Sequence, residues 1–290
     1  MEDFNDFLKG KGYAEATIIE KQLIIKKIRK QYRNLDSLNY QQILNLVKKL
    51  KPTYSIPSVN NQIRSLQDYY NFLIETGKRV DNPCQTLRIK TPPKKAVIQL
   101  LSADELEDLY YSYSTESKTK GYKTAIKYRN KVMLGLMIHQ GLGTSSLKCL
   151  DVEHLDIRKG EIYVPSGSTL NERMLKLHSS QILLMQDYLQ FHHETIVNHI
   201  KANKDKLFPL GNKTKFSSIT KLLFKELRLI NYKVQSLHHI RASVIGNWLK
   251  QYNLRKTQIM AGHRTISSTE HYLQDNLENL HQAIEAFHPF

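Results

Sequence analysis

Apolar residues recur at helical spacing from the start of the chain. Phe4, Phe7 and Leu8 fall at i, i+3 and i+4, and Ile18, Ile19, Leu23, Ile24 and Ile28 repeat the pattern. Ile43, Leu44, Val47 and Leu50 form a third stripe, after which Pro52 and Pro57 interrupt it. Val59, Ile63, Leu66, Tyr70, Leu73 and Ile74 mark a fourth helix, ended by Gly77 with Lys78 and Arg79 at its exit. The pattern therefore predicts a small helical bundle over residues 1–85. Residues 82–96 hold three prolines and four basic residues without helical period, and a linker is expected at 86–96. Ser102 followed by Glu105 reads as a capping box opening a second domain, 97–290.

In that second domain Ile126, Met133, Leu134, Met137 and Ile138 predict a helix over 126–139. Glu161-Ile162-Tyr163-Val164 reads as a strand, Ser166-Gly167-Ser168 as a turn, and 173–177 as the returning strand. Helices are expected at 180–200, 216–230, 237–251, 254–260, 266–272 and 277–286. The fold class is mainly α: a helical bundle followed by a larger α+β domain with a small antiparallel sheet.

Composition narrows the function. Forty-three Lys and Arg face 27 Asp and Glu, for a net charge of +16, and residues 1–95 alone hold 18 basic and 9 acidic side chains. Such a field attracts polyanions, and counterion release would drive binding to nucleic acid. Lys26, Lys27, Lys30, Lys48 and Lys49 in the bundle, with Lys118, Lys120 and Lys123 in the second domain, are the expected phosphate contacts. No apolar run approaches the roughly 20 residues of a membrane span. The acidic first ten residues lack the core of a secretory signal. Cys84 and Cys149 are far apart with no CxxC spacing, so a reducing cytoplasm is expected.

Phosphate loops, dinucleotide fingerprints, zincin motifs and nucleophile elbows are all absent from the sequence. His192, His193 and His199 have no carboxylate spaced to complete a metal site, so no metal and no cofactor is expected. The last third is different. His238-His239-Ile240-Arg241 is followed by Gly262-His263, and Tyr272 stands nine residues after His263. This ordered set resembles the tyrosine recombinase (phage integrase) family, Xer-type recombinases included. The resemblance spans the whole chain, with Asn82-Pro83 and Leu101-Ser102-Ala103-Asp104-Glu105-Leu106 similar to the family's domain junction.

The resemblance implies a SAM-like core-binding bundle, a catalytic domain, and a site-specific recombinase of a mobile element. It would cleave and rejoin double-stranded DNA. Tyr272 would attack a phosphodiester to form a 3′-phosphotyrosyl link, Arg241 would clamp the phosphate oxygens, and His238 and His263 would donate hydrogen bonds or move protons. It also implies oligomers up to a tetramer on DNA, possible pairing with another recombinase, and a bacterial, nucleoid-associated location. An apolar stripe of Leu277, Leu280, Ala283, Ile284 and Phe287 would join neighbouring protomers.

The sequence departs from the family at two cations. Gly143 stands at the position of the first arginine, with Ser146 at that of the glutamate three residues on, and Ser168 stands at the position of the strand-turn lysine. One such donor is worth about 2.7–4 kcal/mol. Arg129, Arg173 and Lys176 are the candidate replacements. Two readings stay open: an active recombinase with a rearranged cation set, and a catalytically impaired DNA-binding helper that assembles with an active partner.

Overall fold

The structure, a computed structural model, describes residues 2–90, 99–117, 121–212 and 214–273. The chain divides into two units, Met1–Lys95 and Ala96–Phe290, each with its own apolar core.

The first unit consists of α1 (Glu2–Gly10), α2 (Glu15–Gln31), α3 (Tyr40–Leu50) and α4 (Ile56–Glu75). Asn39 and Gln42 form a reciprocal capping box that starts α3. Gly77, at φ +68°, turns the chain out of α4. Leu8, Ile25, Ile43, Val59, Leu66 and Tyr70 are almost fully buried in the core between these helices. Each such side chain contributes about 1.5–3 kcal/mol.

The segment that opens the expected linker is not loose at its start. Ile89 exchanges two backbone hydrogen bonds with the Asn60 side chain (2.9 and 3.0 Å), and Gln67 Nε2 donates to the Cys84 carbonyl at 2.8 Å. Leu87 and Ile89 pack against the first core. Polar side chains on α4 thus hold the chain as far as Ile89, a tether that a helical-period reading cannot register. Residues 91–96 of the expected linker lie outside the described residues.

The second unit begins with α5 (Ala103–Ser112), started by the predicted Ser102–Glu105 capping box. Next come α6 (Tyr122–His139), α7 (Thr144–Cys149) and the strands β1 (Leu155–Asp156), β2 (Glu161–Val164) and β3 (Arg173–Lys176). The three strands form an antiparallel sheet in the order β1-β2-β3, with Val164 opposite Arg173 and Glu161 opposite Lys176. α8 (Ser179–Asp187) runs through one π turn, Tyr188–His192, into α9 (His193–Ile200). The long helix expected at 180–200 is therefore continuous but locally widened. α10 (Phe216–Ile230), α11 (Leu237–Gln251) and α12 (Leu254–Ala261) complete the named helices. Residues 267–273 are also helical, whereas the expected helix 277–286 and its apolar stripe lie outside the described residues.

Two helices set the frame for the site. α6 is buried without a break from Val132 through Ile138. α11 is pinned to the start of the unit: Leu101 N donates to Ser243 Oγ (2.9 Å), and Asn247 Nδ2 donates to the Leu101 carbonyl (3.1 Å). His239 Nε2 lies 2.9 Å from the Gln99 carbonyl. Among the described residues no helix is long and apolar enough to cross a membrane.

Candidate active site

Gly141 ends the turn after α6 at φ +60°, and a Cβ there would sit 2.8 Å from the Trp248 ring. Only glycine fits both the left-handed backbone and that close approach. The turn directs the Gly141 carbonyl at Arg241, whose Nη1 donates to it. Arg241 is buried on the first turns of α11, and its Nη2 also donates to the Ala261 carbonyl at 2.9 Å. The guanidinium is thus fixed by backbone from two separate segments.

The second support is the C-terminus of α12. Gly262 caps that helix at φ +73°, and the chain turns directly into His263. The His263 backbone N–H bonds Gln258 O, while Gln258 Nε2 bonds the His263 carbonyl. The buried ring of His263 has Nε2 3.1 Å from Arg241 Nη2 and Nδ1 2.9 Å from Thr269 Oγ1. Burial, then the charges of Arg241 and Arg173, push this imidazole down to about 4.

Tyr272 completes the wall. Its ring stacks parallel to His263, with centroids 5.8 Å apart and planes 4° from parallel. Burial disfavours the Arg241 guanidinium charge, and the neighbouring Tyr272 phenol favours it. The nucleophile candidate and the arginine of its own chain line the same cleft. His238 is exposed on the first turn of α11 and lines the same cleft.

That cleft has a volume of about 520 Å³. Gly143, Thr144 and Ser145 form one side, Thr169 and Leu170 of the β2–β3 turn another, and Ser268 and His271 flank Tyr272. The turn is tied in place: Asn171 N donates to the Gly262 carbonyl at 2.8 Å and Arg264 Nη2 donates to the Gly167 carbonyl at 2.8 Å. No carboxylate lines the cleft among the described residues, and Arg241 is its one permanently charged side chain there. The arrangement suits an anion with several oxygens. Thr144, Ser145, Thr169, Ser268 and His271 carry no spacing signal in the sequence, because three separate segments bring them together.

The candidate replacement cations are elsewhere. Arg129 is buried on α6, where Nε and Nη2 donate to Asn130 Oδ1, beside a Tyr113–Glu226–Lys127 network. It lines a different cavity, of about 440 Å³, together with Lys123 and Glu226. Arg173 is buried behind Gly262, where a Cβ would meet its Nη1 at 2.4 Å. Its Nε donates to the Met260 carbonyl at 2.9 Å, and its Nη2 is buried without a partner. Burial and the Arg241 charge push it down to about 10. It supports the His263 turn from behind and does not line the cleft. Lys176 is exposed at the end of β3 and also does not line the cleft. Ser168 is exposed on the β2–β3 turn, and Ser146 is buried in α7. Gly143 faces Arg241: a Cβ there would sit 3.4 Å from Arg241 Cδ, an ordinary contact.

Lys26, Lys30, Lys48 and Lys123 are exposed. Lys27 and Lys49 flank one groove between α2 and α3, each over a tyrosine ring, Tyr54 and Tyr32. Lys118 and Lys120 lie outside the described residues. Among the described residues Asp151, Glu153 and His154 place ligand atoms within 4.8 Å of one another. Asp151 is paired with Lys206 at 2.7 Å, and His154 Nδ1 accepts from Asp151 N, so these groups are already engaged in the fold.

The phage integrase family model matches residues 99–279. The chain is 26% identical over 305 residues to the tyrosine recombinase XerD of Oceanobacillus iheyensis, covering 100% of this chain and 98% of that protein. It is 24% identical over 293 residues to the tyrosine recombinase XerA of Pyrococcus horikoshii, covering 98% and 92%. Among solved structures, a lambda integrase dimer bound to a COC′ core site aligns with a TM-score of 0.68 at 17% identity, over 95% of this chain and 76% of that one. A lambda integrase tetramer bound to a Holliday junction aligns at 0.65 and 15% identity, over 93% and 75%. The chain belongs to the phage integrase family of tyrosine recombinases.

Proposed function

We propose that this chain is a site-specific recombinase that cuts and rejoins double-stranded DNA through a 3′-phosphotyrosyl link at Tyr272. The observation that carries the reading is the placing of Tyr272 and the buried Arg241 of one chain in a single cleft, lined by no carboxylate among the described residues. A scissile phosphate seated there would place its non-bridging oxygens against a guanidinium already oriented by two backbone carbonyls. Tyr272 attacks phosphorus, the 5′-oxygen leaves, and a second strand's hydroxyl reverses the step. The bond energy is kept in the phosphotyrosine, so the residues call for no cofactor. The exposed lysines Lys26, Lys27, Lys30, Lys48, Lys49 and Lys123, with Lys118 and Lys120, would neutralise flanking phosphates. The DNA-bound dimer and tetramer of lambda integrase support assembly of this chain as an oligomer on DNA. A mobile-element origin and a bacterial nucleoid location accord with that chemistry.

Gly143 and Ser168 favour a second reading, a helper that binds the site beside an active recombinase. The two separate cleanly. Duplexes enriched from a randomised library by binding to the full chain are nicked near the centre and incubated with it. The recombinase reading expects a covalent protein–DNA adduct. Tight binding without adduct, together with adduct formation by the Gly143→Arg/Ser168→Lys variant, would establish the helper.

A further inference from the structure

An active centre with one guanidinium must find other donors for the charge that builds on phosphorus. The replacements expected from the sequence do not reach it: Arg129 is bound to Asn130 in another cavity, Arg173 lies behind Gly262, and Lys176 does not line the cleft. The side chains that do line it and can carry positive charge, besides Arg241, are three imidazoles. His263 is committed, with Nε2 turned to Arg241 and Nδ1 to Thr269. His238 already has a place in the motif shared with the family. His271 has no such role. It is exposed, precedes the nucleophile directly, and lines the cleft with it.

We propose that His271 is a catalytic residue that donates a hydrogen bond to a non-bridging oxygen of the scissile phosphate, in place of the guanidinium missing at Gly143. This rests on the recombinase reading above. In the step, the bond from Tyr272 Oη to phosphorus forms and the bond from phosphorus to the 5′-oxygen breaks. The phenolic proton passes to water in the open cleft, and the leaving oxygen takes a proton from water. His271 keeps its proton throughout and holds the growing negative charge through its N–H.

The test compares two nicked duplexes of the enriched sequence that differ at the scissile linkage alone. One carries the natural phosphodiester and the other a methylphosphonate, in which a neutral methyl replaces a charged oxygen. With the full chain in single turnover, His271→Ala should slow adduct formation on the phosphodiester by about 10²-fold, the size of one lost oxyanion donor. On the methylphosphonate the loss should shrink to a few-fold, and DNA affinity should change little on either. His271→Lys, which keeps an N–H donor at this position, should recover most of the rate on the phosphodiester. An active parent with an indifferent His271→Ala overturns the inference alone. Equal losses on both linkages also overturn it, because a residue that merely positions the Tyr272 helix would act on both. A parent inert on both linkages overturns the recombinase reading and this inference with it.

Discussion

Arg241 Nη2 donates to His263 Nε2 across 3.1 Å, and that contact fixes the protonation of the histidine. A guanidinium has no acceptor, so Nε2 must offer its lone pair and the proton must sit on Nδ1, where it donates to Thr269 Oγ1 at 2.9 Å. Thr269, fully buried, therefore accepts from Nδ1 and holds the ring in the tautomer that Arg241 selects. Thr269→Val should slow adduct formation about tenfold, the worth of one net hydrogen bond, while DNA affinity holds. Single-turnover rates check the first part and a binding titration the second.

The same contact carries a pH signature. His263 is pushed down to about 4, first by burial and then by Arg241 and Arg173. His139, stacked on His178, is also pushed down to about 4, again first by burial. A histidine with a lowered folded pKa binds its proton more readily when unfolded. Its contribution to stability is therefore complete above the unfolded value of about 6.5 and is lost progressively as pH falls towards 4. The melting temperature of the chain should drop steadily across that window. In His139→Gln the drop should be smaller, which thermal denaturation at several pH values would show.

Arg173 and Gly262 form a lock. Gly262→Ala would drive a methyl into the Arg173 guanidinium at a backbone angle that alanine resists, so it should destabilise the chain by about 1–3 kcal/mol. Arg173→Ala removes the partner of the Met260 carbonyl and should lower both the melting temperature and the rate. Arg129→Ala should lower stability with no specific loss on DNA cleavage, because Arg129 faces another cavity. Arg241→Ala should instead lose about 10²–10³ in rate with a smaller stability change. Denaturation curves alongside adduct rates separate these behaviours.

These distinctions show how far the sequence could be read. Helical spacing identifies the α10 and α11 limits, and the Ser102–Glu105 capping box identifies the start of α5. β1 is two residues long and α7 six, too short for any period to show. The π turn at Tyr188–His192 keeps a helical pattern, so it is invisible without coordinates. The spacing of His238, Arg241, His263 and Tyr272 singles out four side chains that the structure brings to one cleft. What the sequence could not supply is direction. Arg173 opens β3 and is buried against Gly262 without lining the cleft, and His271 looks like any exposed histidine until the chain is folded.

The lysines of the first unit make an electrostatic prediction. Lys26 and Lys30 lie exposed on α2. Each phosphate contact adds about 0.9 to the magnitude of the slope of log affinity against log salt. Lys26→Ala/Lys30→Ala should therefore lower that slope by about 2, across specific and unrelated duplexes alike. Fluorescence anisotropy at several salt concentrations measures it, and an unchanged slope would remove these two residues from the DNA interface.

The central claim is that Tyr272, in one cleft with Arg241, attacks DNA. The most direct measurement incubates the full chain with the nicked duplex and resolves the products by denaturing electrophoresis. The account predicts a covalent adduct with the parent, none with Tyr272→Phe, and an affinity for DNA that differs by no more than a few-fold between them, since one hydroxyl is lost. An adduct that persists in Tyr272→Phe, or a parent that binds tightly and never forms one, would contradict it.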